Sequence, residues 1–74
     1  CKIYPNPFSH YTSVYFLESQ ERTLSVFDMM GRKVRTIISS EKKVDIYKEN
    51  LKNGMYFIQI SDGKTQITKK LILN

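Results

Sequence analysis

Apolar and polar residues alternate with a period of two along most of the chain, the pattern of half-buried strands. From Thr12 to Leu17, Val14 and Phe16 alternate with Ser13 and Tyr15, and from Thr23 to Phe27 the inward positions are Leu24 and Val26. Lys33 to Ile38, with Val34 inward, and Lys43 to Tyr47 predict two further strands. Between Met55 and Ser61, Tyr56, Ile58 and Ile60 share one face, while Phe57 and Gln59 share the other. The last run, Lys64 to Leu73, sets Ile67, Lys69, Leu71 and Leu73 against Gln66, Thr68, Lys70 and Ile72. A lysine at position 69 inside an otherwise apolar face predicts that this face is only partly covered.

Turn chemistry separates these runs. Tyr4-Pro5-Asn6-Pro7 follows a short strand at Lys2 and Ile3, and its prolines push Tyr4 and Asn6 towards extended geometry. An edge strand ending in a rigid corner is expected, with the Asn6 amide free to bond to nearby backbone. Glu18 to Arg22 is polar and reads as a turn. Asp28-Met29-Met30-Gly31 combines an Asp able to bond forward to amides with a Gly that tolerates positive φ. Lys48 to Lys52 lacks a helical stripe and reads as one tight turn, with Leu51 plugging the core end before the Asn53-Gly54 bend. Asp62-Gly63 predicts a two-residue hairpin loop of type I′.

Seven short strands with turn signals about every eight to twelve residues predict an all-β fold: a small antiparallel immunoglobulin-like β-sandwich. A five-stranded barrel of the OB type is the main competitor. The absence of a Cys…Trp…Cys pattern excludes an antibody-type domain. Composition strengthens the fold reading. The 74 residues include no alanine and five leucines, against seventeen Ile, Val and Thr and nine aromatics. The strongest helix former is missing, and the residues suited to a pleated surface abound. A chain of this length makes a single domain, residues 1–74, with one modest core. Its unbroken apolar runs reach only four residues, far short of a membrane span. It starts at Cys1 without a visible signal peptide, so a fragment of a larger precursor is expected.

The formal charge of +5 changes the picture little. Basic residues are scattered among Asp28, Glu41, Asp45, Glu49 and Asp62, and there is no basic recognition helix or RNP-type strand motif. A solvated surface is favoured over nucleic-acid binding. Cys1 and His10 are too few for a metal site, the acidic residues lack calcium-loop spacing, and isolated glycines make no phosphate cradle. No cofactor is expected. His10 beside Ser9 is no basis for a hydrolase, and the chain is not expected to be an enzyme. Alternating aromatics at Tyr15, Phe16, Tyr56 and Phe57 read as core on one face and cross-strand pairs on the other. The alternative is a sugar platform, which makes a stand-alone carbohydrate-binding or adhesion module the rival functional reading.

Four motifs stand in order over the whole chain. Ile3-Tyr4-Pro5-Asn6-Pro7-Phe8 opens it, Val26-Phe27-Asp28-Met29-Met30-Gly31-Arg32-Lys33-Val34 sits in the middle, and Ile46 to Leu51 leads through Asn53-Gly54 into Met55-Tyr56-Phe57-Ile58. Lys69-Lys70-Leu71-Ile72-Leu73 closes it. This set resembles the type A C-terminal sorting domains of the type IX secretion system, with Phe27 replacing the common Tyr and Met55 a more common Ile or Val. The resemblance implies a β-sandwich address tag on a secreted cargo of a Gram-negative bacterium. Such a precursor reaches the periplasm, passes the outer-membrane translocon, and is cleaved by a sortase-like cysteine peptidase for attachment at the cell surface or release. Its implied partners are the translocon, the sortase and the upstream cargo domain. Tyr4, Pro5, Asn6, Pro7, Asp28, Gly31, Arg32, Leu51, Gly54 and Tyr56 are then expected to act mainly as structural motif residues. Lys69, Lys70, Leu71, Ile72 and Leu73 are the candidates for recognition by the machinery, through strand addition or complementary charge on a free edge. Edge protection by the lysines is the competing explanation.

Overall fold

A computed structural model describes all residues, 1–74, and contains strands and turns but no helix. The strands are β1 (Lys2–Tyr4), β2 (Tyr11–Tyr15), β3 (Arg22–Phe27), β4 (Lys33–Ser39), β5 (Lys43–Tyr47), β6 (Gly54–Ser61) and β7 (Gln66–Leu73). They form two antiparallel sheets, one ordered β1-β2-β5 and the other β4-β3-β6-β7. The pairing of β2 with β5 and of β3 with β6 is the immunoglobulin-like connectivity, with the fourth strand joined to the larger sheet. This bears out the sandwich and leaves the barrel aside.

The core lies between the sheets. Val14, Val44 and Ile46 from the smaller sheet meet Leu24, Val26, Tyr56, Ile58, Ile60, Leu71 and Leu73 from the larger one, with Phe8 inserted from the corner after β1. All but Phe8 are inward positions of the period-two pattern, which is why one register satisfies every strand. Ile3, Phe16, Val34, Ile37 and Leu51 pack around the margin, so Leu51 does plug one end. The Tyr56 hydroxyl donates to the Lys52 carbonyl at 2.7 Å. That bond ties the start of the sixth strand to the turn before it, in the manner of the tyrosine corner of immunoglobulin-like domains.

Three local expectations need correction. The β6–β7 connection is a four-residue loop, 62–65, with the Asp62 amide bonded to the Thr65 carbonyl at 3.2 Å. Its cause is the Asp62 carboxylate, whose Oδ1 accepts from the amides of both Lys64 and Thr65 and holds the longer loop. The final strand therefore starts at Gln66 and not at Lys64. The second strand ends at Tyr15: Phe16 still donates its amide to Lys42, but Leu17 is almost wholly exposed.

Candidate functional site

The opening corner and the closing strand, sixty-odd residues apart in sequence, are joined by one side chain. Asn6 Nδ2 donates to the Lys70 carbonyl at 2.8 Å, and Asn6 Oδ1 accepts the Ile72 amide at 3.0 Å. Two residues on, the Phe8 amide donates to the Ile72 carbonyl at 2.9 Å and the Phe8 carbonyl accepts the Asn74 amide at 3.0 Å. The corner thus acts as a short surrogate strand on the outer edge of β7, and Phe8 forms a parallel bridge with Leu73. The prolines on either side of Asn6 restrict the chain that aims it, both X–Pro bonds being cis. The Pro5 carbonyl is in turn fixed by the Thr12 hydroxyl at 2.6 Å. Tyr4, at the end of β1, is exposed, with the Lys2 ammonium 5.9 Å from its ring centre.

The edge of β7 is therefore free over only half its length. The even-numbered residues of this strand turn their backbone groups away from β6, as the bonds at Lys70 and Ile72 show. From the Lys70 carbonyl to Asn74 that row is covered; the outward groups of Gln66 and Thr68 and the Lys70 amide are open. Lys69 and Lys70 are exposed, and neither joins an ion pair. Leu71 and Leu73 are buried and Ile72 is half-buried, so in the folded domain the leucines of the tail serve the core.

The other motif residues meet at the turn regions of the larger sheet. Asp28 Oδ1 accepts the amides of Met30 and Arg32, both at 2.9 Å, and Oδ2 accepts Arg32 Nε at 2.8 Å. These bonds hold its carboxyl below the usual carboxylate range, the Arg32 amide contributing most. Gly31 takes a φ of +84° within that turn, as its place there demands. Asp28 and Arg32 share a shallow hollow of about 240 Å³ with Gly54 and Tyr56. Both motif segments therefore border one surface, with the exposed Met29 and Met30 over it.

Several arrangements escaped the sequence reading. The outer face of the smaller sheet collects Tyr4, Tyr11, Tyr15 and Tyr47, with Tyr11 and Tyr47 ring centres 5.6 Å apart. Their places at alternate positions of paired strands were the available signal, but pairing β2 with β5 could not be known in advance. Beneath them Ser13, fully buried, donates to Asp45 at 2.6 Å. Of the aromatics singled out from the sequence, Tyr56 is core, Phe16 is half-buried under the Arg22 guanidinium at 3.9 Å, and Tyr15 and Phe57 remain partly exposed.

No group of three or more His, Cys, Asp or Glu side chains is placed to hold a metal ion, and no helix is long and apolar enough to cross a membrane. Cys1 is exposed and unpaired. No curated protein matches the chain. A family model described as the secretion system C-terminal sorting domain matches residues 2–74. With that match spanning nearly every residue, the chain belongs to the family of type IX secretion C-terminal sorting domains.

Proposed function

We propose that residues 1–74 act as an address that the type IX secretion machinery reads through the exposed end of β7. The sorting function itself follows from the family, as does export to the cell surface or extracellular space of a Gram-negative bacterium. The family is a sorting signal and not a known enzyme family. The observation that carries the finer reading is the half-open edge of β7, presenting Lys69 and Lys70 outside any ion pair beside backbone groups that lack a partner. Such an edge offers main-chain bonds for affinity and lysines for selection of an acidic partner. In this reading the domain folds in the periplasm, passes the translocon with its upstream cargo, and is removed by the sortase-like cysteine peptidase before the Tyr4–Pro7 corner. The cargo then reaches the surface or the medium. Nothing in the family match favours the carbohydrate-binding or adhesion alternative.

The test is a periplasm-exported reporter fused to residues 1–74 in a host with this secretion system. Delivery outside the cell is expected; retention in the periplasm, while an established sorting domain delivers the same reporter, would overturn the proposal. Lys69→Ala with Lys70→Ala is expected to lower delivery without changing thermal unfolding. Unchanged delivery would leave the lysines with edge protection alone.

A further inference from the structure

Where the open edge of β7 meets β1, the edge strand of the other sheet, the two sheets part to leave a groove of about 460 Å³ lined by Cys1, Lys2, Ile3, Asn6, Lys69 and Lys70. Three of these residues are lysines and none is acidic. Lys2, Lys69 and Lys70 are all exposed, and none of them forms a salt bridge. Lys69 and Lys70 project to opposite faces of β7, yet both reach the groove because the strand is an edge. Three like charges around one hollow repel one another, and an anionic occupant relieves that repulsion.

The backbone fixes the form of the occupant. Outward groups of Gln66 and Thr68 and the Lys70 amide are unpaired, while the Asn6 carboxamide already holds the Lys70 carbonyl and the Ile72 amide. A strand added to β7 can therefore run along Gln66 to Lys70 and must stop where Asn6 begins. We propose that this seam is a docking site for a short extended acidic segment of a secretion-machinery protein. The segment pairs with β7 over Gln66–Lys70 and places its carboxylates among Lys2, Lys69 and Lys70. Asn6 sets the end of its register, and Lys2 draws β1 into a site that the tail motif alone does not define. This inference rests on the β7-edge reading proposed above and adds to it the part of β1 through Lys2 and the register set by Asn6.

Two variants of the reporter fusion test it. Thr68→Pro removes one outward amide and puts a ring on the open edge, at a position that contributes no bond to β6. Lys2→Glu with Lys69→Glu and Lys70→Glu reverses the charge of the groove and leaves the backbone alone. Each is expected to reduce delivery about tenfold or more, as expected when a strand-addition edge or its charge complement is lost, with thermal unfolding close to wild type. In solution, a short peptide alternating glutamate with threonine is expected to shift the amide resonances of Lys2, Thr68 and Lys70, and a glutamine–threonine peptide is not. Wild-type delivery by both variants overturns the seam while leaving the sorting function intact. Equal shifts from the two peptides overturn the acidic partner. Failure of the wild-type fusion to be delivered strikes instead at the sorting function.

Discussion

Asn6 and Ile72 are bound as neighbouring strands are, except that one partner is a side chain: the Ile72 amide donates to Asn6 Oδ1 at 3.0 Å. The Asn6 Nδ2 bond to Lys70 completes the imitation of a backbone amide pair. Asn6→Ala deletes both bonds and leaves an edge amide and carbonyl to water. Two hydrogen bonds together contribute about 1–3 kcal/mol by the usual net values. A urea titration of the variant should show a loss of that size, and hydrogen exchange at Ile72 should accelerate more than at Ile58. Equal acceleration at both would mean that the variant loosens the whole sandwich and that Asn6 is no local latch.

The buried leucines of the tail should separate from its lysines. Leu71 is fully buried in the core, whereas Lys70, next to it, is exposed. Leu71→Ala is expected to cost about 2–5 kcal/mol, the range for leucine truncation in packed cores. A domain of 74 residues has roughly 4–11 kcal/mol in total, so a loss of that size is a large share of it and should lower the unfolding midpoint clearly. Lys70→Ala should leave the unfolding midpoint within experimental error. Circular dichroism melts of the two proteins decide the matter, and a large loss from Lys70→Ala would contradict the exposure of that side chain.

Gly54 opens β6 opposite Leu73 with a φ of +146°, a conformation that side chains with a Cβ rarely adopt. Space is not the obstacle, since an added Cβ would meet nothing within 4 Å. Gly54→Ala therefore tests backbone strain alone, expected at about 1–3 kcal/mol for a sparsely populated region. A variant as stable as wild type would show that the strand can start with another backbone geometry.

How far the chain could be read in advance follows from the range of the forces involved. Alternation placed Leu24, Val26, Ile58, Ile60, Leu71 and Leu73 inward, because strand periodicity is local and one face had to be buried. The forward bonds of Asp28 were legible for the same reason, its partners Met30 and Arg32 being two and four residues away. The Asp62 loop misled because a carboxylate that can bond two amides stabilises a longer turn than the Asp-Gly pair alone suggests. The reach of Asn6 across to Lys70 and the tyrosine face of β1-β2-β5 depend on which strands become neighbours. Pairing is non-local, and no short window of sequence contains it.

The same carboxylates give the domain an acid limit with a defined sign. Asp62 is lowered to about 2, first by the Thr65 amide and then by that of Lys64. In the unfolded chain it returns to an ordinary value near 3.8, so between these values the unfolded state binds more protons than the native state. The contribution of Asp62 is complete above that unfolded value and is lost as the pH falls towards about 2. Urea midpoints measured down through this window should fall for the wild type and fall less steeply for Asp62→Asn, which keeps an acceptor but no titrating group. Asp28 is lowered as well, chiefly by the Arg32 amide, so a residual slope should survive in Asp62→Asn. It should shrink again when Asp28→Asn is added. A double variant with the full wild-type slope would move the acid sensitivity away from both turns.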